Sequence, residues 1–214
     1  MSDLRSVNLR TVISGLWCAA VAFAPVCASA AEFDFRGARV GMTIDEFKAL
    51  APLKPTGTTR CSTIRQITGS DSSPEAMAGV VLCSRDGDAP FPTDDFVKSG
   101  MTAVSYKFAP DEAQVLRLFR IDMRITTDSY PDALNAMTLK LGAPSASDSS
   151  QLQNGFGAKF TRETRIWQSA SSTAILSSLC GSVDYGCIAY FYNSLNKAYE
   201  ERLKAIKGSA ADRF

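Results

Sequence analysis

Alternating apolar and polar residues indicate the strands that this chain is expected to form. The clearest alternation runs over residues 119–126, where Phe119, Ile121, Met123 and Ile125 point one way and the polar residues between them point the other. Further strands are predicted from similar patterns bounded by turn residues, over residues 59–67, 79–84, 101–108, 158–168, 173–179 and 187–193.

Apolar residues at helical spacing predict helices between the groups of strands. The first helix begins at Thr43, where Glu46 stands three residues on and completes a capping box. A second begins near Ser129 and a third at Asn193 or Ser194, and each of these is followed by a glycine that ends it.

The order of these elements is helix, strands, helix, strands, helix, and it predicts an α+β fold. We expect two tandem repeats, each a helix followed by antiparallel strands, over residues 31–126 and 127–214. Each half is small for an independent fold, so the strands are expected to form one continuous antiparallel sheet with the helices packed on one face.

The first thirty residues have the pattern of a signal peptide. Arg5 and Arg10 precede an apolar run over residues 12–24, and the small residues Ala28 and Ala30 stand where cleavage occurs. The run is shorter than the roughly 20 residues that a membrane-spanning helix needs. We therefore expect a periplasmic or secreted protein without stable membrane insertion after cleavage, in preference to a permanent anchor.

Charge and composition exclude several classes of function. The chain has 214 residues with 23 Lys and Arg against 22 Asp and Glu, and it has no histidine. Catalysis by Ser-His-Asp or Cys-His groups and histidine metal sites are therefore excluded. Because no block of basic residues occurs, a nucleic-acid partner is not expected.

Four cysteines follow the predicted signal peptide, and three pairings of them are possible. We favour the local pairs Cys61 with Cys83 and Cys180 with Cys187, because each pair falls within one half of the chain and disulfides persist in exported proteins. A metal or redox site is the rival interpretation, but there is neither a C-x-x-C motif nor a histidine. No cofactor is predicted.

Aromatic residues near the end of the chain and charged residues on the strand 119–126 predict a protein-binding face. Because side chains alternate along a strand, either Tyr190 and Tyr192 or Phe191 must point away from the core. Tyrosine, tryptophan and arginine are enriched at binding hot spots. The candidate residues for contact with another envelope protein or a peptide are Trp167, Tyr185, Tyr190, Tyr192, Arg120 and Arg124.

Two other functions stay open at this point. A hydrolase without histidine could use paired carboxylates or the Ser194 and Lys197 pair, which fits an S-x-x-K pattern without the K-T-G that accompanies it in penicillin-recognising enzymes. The acidic loop from Asp86 to Asp95 could hold a cation, although its spacing fits no EF-hand.

The segment from Arg39 to Phe47, with its Gly-Met-Thr-x-x-Glu helix start, resembles the SmpA/OmlA family of small outer-membrane assembly lipoproteins. The doubled order of elements resembles the β-lactamase inhibitor protein fold. That resemblance implies a long sheet whose aromatic-rich face holds a partner protein, with a local disulfide in each half. This chain lacks the lipoprotein cysteine, so the resemblance does not extend to a membrane tether.

Overall fold

A computed structural model of the chain describes residues 33–87 and 100–211. The predicted signal peptide lies outside the described residues, as do Asp88, Asp94 and Asp95 of the acidic loop. None of the helices within the described ranges is long and apolar enough to cross a membrane.

An eight-stranded antiparallel sheet forms the centre of the fold, and it confirms the predicted α+β class. Its strands lie in the spatial order β3-β4-β5-β6-β10-β9-β8-β7. Their bounds are β3 Thr59–Thr63, β4 Val81–Arg85, β5 Met101–Pro110, β6 Leu116–Thr126, β7 Ala146–Gln153, β8 Lys159–Gln168, β9 Ser172–Ser177 and β10 Tyr185–Tyr192.

The strands form one continuous sheet because β6 and β10, the last strands of the two halves of the chain, pair with each other at the centre of the sheet. β6 and β10 lie side by side and antiparallel, with Met123 opposite Ile188 and Ile121 opposite Tyr190. Consecutive strands of the first half, β3 to β6, extend to one side of this pair, and β9, β8 and β7 extend to the other.

Within the described residues, five helices and a small hairpin pack around the sheet. The hairpin consists of the short antiparallel strands β1 and β2. The bounds are β1 Asp34–Phe35, β2 Ala38–Arg39, α1 Ile44–Lys48, α2 Ile64–Thr68, α3 Pro74–Met77, α4 Tyr130–Leu141 and α5 Asn193–Ala211, with a 3-10 turn at Thr127–Ser129 before α4.

The main core lies between one face of the sheet and the hairpin, α1 and α4. Phe47 of α1 is fully buried, and its ring centre lies 4.6 Å from that of Tyr106 and 5.3 Å from that of Phe108. The predicted capping box holds this short helix in place. The Glu46 N–H donates to the Thr43 hydroxyl, and the Glu46 carboxylate accepts from the Thr43 N–H at 2.6 Å.

A second, smaller core lies on the opposite face of the sheet, so the prediction that all helices share one face is wrong. Phe108 and Ala109 are neighbours in β5, point to opposite faces and belong to different cores. α5 covers Ala109 together with Phe119, whose ring centre is 4.6 Å from that of Tyr199. α5 packs on this face because α1 and α4 do not cover it, so the apolar stripe of the helix can be buried there.

A β-bulge places Phe119 on the α5 side. The register of β6 against β5 shifts between the pairs Arg120 with Lys107 and Leu118 with Phe108, which leaves Phe119 as the extra residue. The prediction that Phe119 points the same way as Ile121 is therefore wrong. The alternation resumes after the bulge, with Ile121 and the apolar residues beyond it in the main core.

Both disulfides that the sequence predicted are present. Cys61 pairs with Cys83 across the neighbouring strands β3 and β4, and Cys180 pairs with Cys187 of β10. Two such bonds are compatible with a protein exported to an oxidising compartment.

Candidate binding face

Part of the sheet surface opposite α1 and α4 belongs to neither core, and we name it the open face. It is the side of β5 to β10 on which β6 carries Arg120, Asp122 and Arg124. Side chains of directly paired residues lie on the same face of a sheet. The strand register therefore shows which residues of the neighbouring strands also belong to the open face. The row that starts at Asp122 continues through Ala189, Ile175, Ile166 and Ala146.

Two arginines of β6 lie over aromatic rings of β10. The Arg120 guanidinium carbon is 4.7 Å from the centre of the Phe191 ring, and that of Arg124 is 5.1 Å from the centre of the Tyr185 ring. The electron-rich ring face attracts the cation, and the contact restricts both side chains. Both pairs are therefore held in a fixed arrangement on the surface.

Asp122 lies between the two stacks and bridges two cations. Its carboxylate is 2.6 Å from the Arg120 Nε and 2.8 Å from the Lys107 Nζ. The three side chains are about one quarter to one third exposed, so the pairs are only partly shielded from solvent. Asp122 thus fixes the direction of the Arg120 guanidinium.

Positive charge predominates on the open face. Beyond the β6 bulge, the charged residues on this side of β5 to β10 are the cations Lys107, Arg120, Arg124 and Arg162 and the anions Asp122 and Asp148. A surface with this balance attracts carboxylates more than ammonium or guanidinium groups.

An apolar stripe crosses the open face next to these charges. Ala189, Ile175 and Ile166 are half-buried and lie side by side on β10, β9 and β8. Phe191 borders the stripe on one side and the Cys180–Cys187 disulfide borders it on the other. Apolar side chains left partly exposed beside polar ones are a usual composition of a protein-binding surface.

Two of the candidate contact residues are in the core, so the prediction that they form part of the face is corrected. Tyr190 is fully buried, and only 2% of Trp167 is exposed. The Trp167 indole N–H donates to the Gly142 carbonyl at 2.8 Å, which ties β8 to the end of α4. Both side chains point toward α1 and α4 because their strand positions alternate with those of the open face.

Tyr192 is half-buried and also lies off the open face. Its ring faces Gly41, where an added Cβ would be 3.3 Å from the ring. Tyr185, Arg120 and Arg124 are the candidates that the structure brings together on the open face.

The residues that sequence reasoning did not select are Phe191, Ile175 and Ile166. Alternation left open whether Phe191 or its neighbours Tyr190 and Tyr192 point outward. The signal that decides between them is the pairing of Phe191 with Arg120, because a cation on β6 fixes which face of β10 is solvated.

A groove of about 510 Å³ lies elsewhere, between the β5–β6 turn and the first half of α5. It is lined by Asp111, Arg117 and Ser194, among others. Lys197, the partner that an S-x-x-K site needs, is not among the lining residues. The groove therefore does not bring the candidate Ser and Lys pair together.

Two carboxylates, Asp111 of this groove and Glu46 of a neighbouring one, have lowered pKa values. Asp111 accepts from the Arg117 Nε at 2.7 Å and from the N–H groups of Val115 and Ala113 at 2.9 Å, and these bonds lower its pKa. The hydrogen bonds from the backbone and hydroxyl of Thr43 lower the pKa of Glu46 in the same way. A general acid at neutral pH needs the opposite shift.

Asp86 is the one acidic residue of the acidic loop that the structure describes, and its carboxylate already has partners. It accepts from the hydroxyl and N–H of Thr58, which lower its pKa, and it pairs with Arg60. No group of three or more potential metal-ligating side chains occurs among residues 33–87 and 100–211.

The chain was also compared with known proteins. It matches no protein-family model, no curated protein and no solved structure.

Proposed function

We propose that this protein is an exported, non-catalytic binding module and that its open face holds a segment of another envelope protein. The observation that carries the proposal is the pair of arginine–aromatic stacks, Arg120 with Phe191 and Arg124 with Tyr185, on a face that neither core covers. These residue types dominate binding energy at protein interfaces.

The stacks are suited to binding because they are already ordered. A flexible arginine loses side-chain entropy when it binds, and a stacked one loses less. Arg120 is restricted twice, by the Phe191 ring and by Asp122. A guanidinium can donate two parallel N–H bonds to one carboxylate, so an ordered arginine favours a partner carboxylate in a defined direction.

The chemistry of the face defines its partner. The apolar stripe of Ala189, Ile175 and Ile166 fits apolar side chains, and the excess of arginine and lysine beside it fits carboxylates. The partner is therefore a protein segment with apolar residues along its centre and Asp or Glu at its flanks.

The hydrolase alternative has less support. It requires convergent acid, base or nucleophile groups in a cleft. The lowered pKa values of Glu46 and Asp111 and the absence of Lys197 from the lining of the groove beside α5 offer no such arrangement there.

Export and the tandem repeat belong to the same proposal. Export is supported by the sequence pattern of residues 1–30 and by the two disulfides. The repeat interpretation, and with it the resemblance to the β-lactamase inhibitor protein fold, is supported by the four consecutive strands that each half contributes to the sheet.

The proposal is tested by partner recovery from an envelope extract. The wild type is immobilised beside a double variant that lacks both rings, Phe191→Ala with Tyr185→Ala. We expect one protein to be retained by the wild type and lost by this variant. With that protein purified, removal of the rings is expected to weaken binding at least about tenfold, as at a hot spot.

The matched control removes two exposed apolar side chains away from the open face, Leu139→Ala with Ile67→Ala. The control is expected to retain the partner at the wild-type level. Equal loss in both variants, or equal recovery of every protein by all three, contradicts the proposal.

A further inference from the structure

The outer side of β7 is the longest unprotected edge of the sheet. β7 runs over eight residues, pairs with β8 without a register shift, and has no described strand on its other side. It contains no proline or lysine, and Asp148 is its one charged residue. Proteins prevent pairing at a sheet edge with short strands, prolines, lysines and other charged residues, or bulges, and β7 lacks most of these features.

The opposite edge of the sheet is protected in the usual ways. β3 has five residues, carries Arg60, and leads directly into α2. The contrast between the two edges indicates that the exposure of β7 is specific to that strand.

The hydrogen bonding of β7 fixes which of its backbone groups face outward. The Asn154 N–H donates to the Ala158 carbonyl at the end of the hairpin. Because hydrogen-bonded positions alternate along an antiparallel strand, the even-numbered residues of β7 bond to β8. The N–H and C=O groups of the odd-numbered residues point outward, and these are Ser147, Ser149, Gln151 and Gln153.

We propose that this edge pairs antiparallel with β7 of a second copy of the chain, which extends the sheet through a two-fold axis. One register satisfies all four outward residues, with Ser147 opposite Gln153 and Ser149 opposite Gln151 of the other copy. Each such pair exchanges two backbone hydrogen bonds. Ser150 then faces its own copy at the axis.

The same register is self-complementary in its side chains. Asp148 comes opposite Leu152, so the two carboxylates of the dimer do not face each other. It also brings each β7–β8 turn beside residues 142–145 of the other copy. Phe156 at the tip of that turn is 99% exposed, and the pairing gives it a surface to cover.

The test measures the association of the purified protein and the exchange of its backbone amides. Sedimentation velocity is expected to show a reversible dimer whose share rises with concentration. Hydrogen exchange is expected to slow with concentration at the amides of Ser147, Ser149, Gln151 and Gln153. The even-numbered amides of β7 bond to β8 in both states, so their exchange is expected to change less.

Two substitutions of Ser149 separate the effect of losing its outward backbone hydrogen bond from the effect of losing its side chain. Ser149→Pro removes an outward N–H and is expected to weaken the dimer at least about tenfold, whereas Ser149→Val keeps that N–H and is expected to leave association within about twofold of wild type. Ser150→Lys places like charges opposite each other at the axis and is also expected to weaken it. This variant keeps the test decisive if the proline variant does not fold.

A protein that stays monomeric at every soluble concentration overturns the proposal. This holds even if the β7 edge is found to pair with a strand of a different protein, because the proposed partner is a second copy of the chain. A dimer that survives both Ser149→Pro and Ser150→Lys also overturns it, since association then uses another surface. Neither outcome decides the proposal for the open face, because that proposal is tested by removing the rings of Phe191 and Tyr185, which lie on β10 and not on β7.

Discussion

The Arg120 guanidinium stacks on the Phe191 ring, 4.7 Å from its centre, and joins the strands β6 and β10 at the middle of the sheet. The contact lies where the two halves of the chain meet. It therefore links the stability of that junction to the surface that we propose for binding.

The stack is expected to stabilise the fold by a measurable coupling. In a double-mutant cycle of Arg120→Ala and Phe191→Ala, the coupling energy from urea unfolding should be about 0.5–1 kcal/mol, as for cation–π pairs near the surface. A cycle of Arg120→Ala with Leu139→Ala, whose side chain is exposed on α4, should be additive. Equal coupling in the two cycles would show that the stack contributes nothing specific.

Replacement of Tyr190 by phenylalanine is expected to preserve or raise stability. The Tyr190 hydroxyl is buried without a hydrogen-bond partner among the described residues, and such a group costs about 1–3 kcal/mol. Tyr130→Phe is the control, since the Tyr130 hydroxyl donates to Glu163, and it should be neutral or destabilising. A loss of stability in Tyr190→Phe larger than in the control would be evidence of a partner for the Tyr190 hydroxyl.

The same substitution is expected to change the alkaline limit of stability. Burial, with the nearby Asp34 charge, raises the pKa of Tyr190 far above its ordinary value. The neutral Tyr190 side chain makes its full contribution to the unfolding free energy below the unfolded pKa of about 10, and this contribution is lost as the pH rises beyond that value. The fall in unfolding free energy from pH 9 to pH 12 should be smaller in Tyr190→Phe than in the wild type.

Gly100 is expected to tolerate no side chain. Its φ is +109°, and an added Cβ would lie 2.0 Å from the Ser129 hydroxyl and 2.6 Å from that of Thr126. Gly69 is a matched control because its φ is also positive, +70°, but nothing lies within 4 Å of an added Cβ. Gly69→Ala should cost about 1 kcal/mol of backbone strain and Gly100→Ala clearly more, by thermal unfolding. Equal losses at the two positions would contradict this account.

Asp111 is expected to contribute to the acid sensitivity of the fold. Its folded pKa is lowered, first by the hydrogen bond from Arg117 and then by backbone N–H groups. That contribution is present above the unfolded pKa of about 3.9 and is lost as the pH falls through the lowered folded value. Asp111→Asn should be less stable than wild type at pH 6, and the difference should shrink toward pH 2. A difference that does not change with pH would contradict this assignment.

Much of the fold follows from local sequence patterns, and the misses have identifiable causes. The alternation in β6 and the capping box at Thr43 predict their elements because both signals are local. β7 was not predicted, since its serines and glutamines show no apolar alternation and it forms only by pairing with β8. The strand predicted to run on to residue 67 ends at Thr63, which caps α2 through Gln66.

The candidate face could be predicted only in part. Arg120, Arg124 and Tyr185 were selected by residue type, and the structure places all three on the open face. Tyr190 and Trp167 were selected on the same grounds and are buried. Residue type alone does not give the direction of a side chain, because strand alternation needs one position of known orientation before it assigns the others.

Site-specific photo-crosslinking in the envelope tests the central claim most directly. A benzoylphenylalanine in place of Phe191 or of Tyr185 puts the reactive group on the open face, and one in place of Leu139 puts it on the exposed side of α4. The account predicts an adduct with the same single protein from Phe191 and Tyr185 and none from Leu139. Adducts with that protein from Leu139, or none from either open-face position, would contradict it.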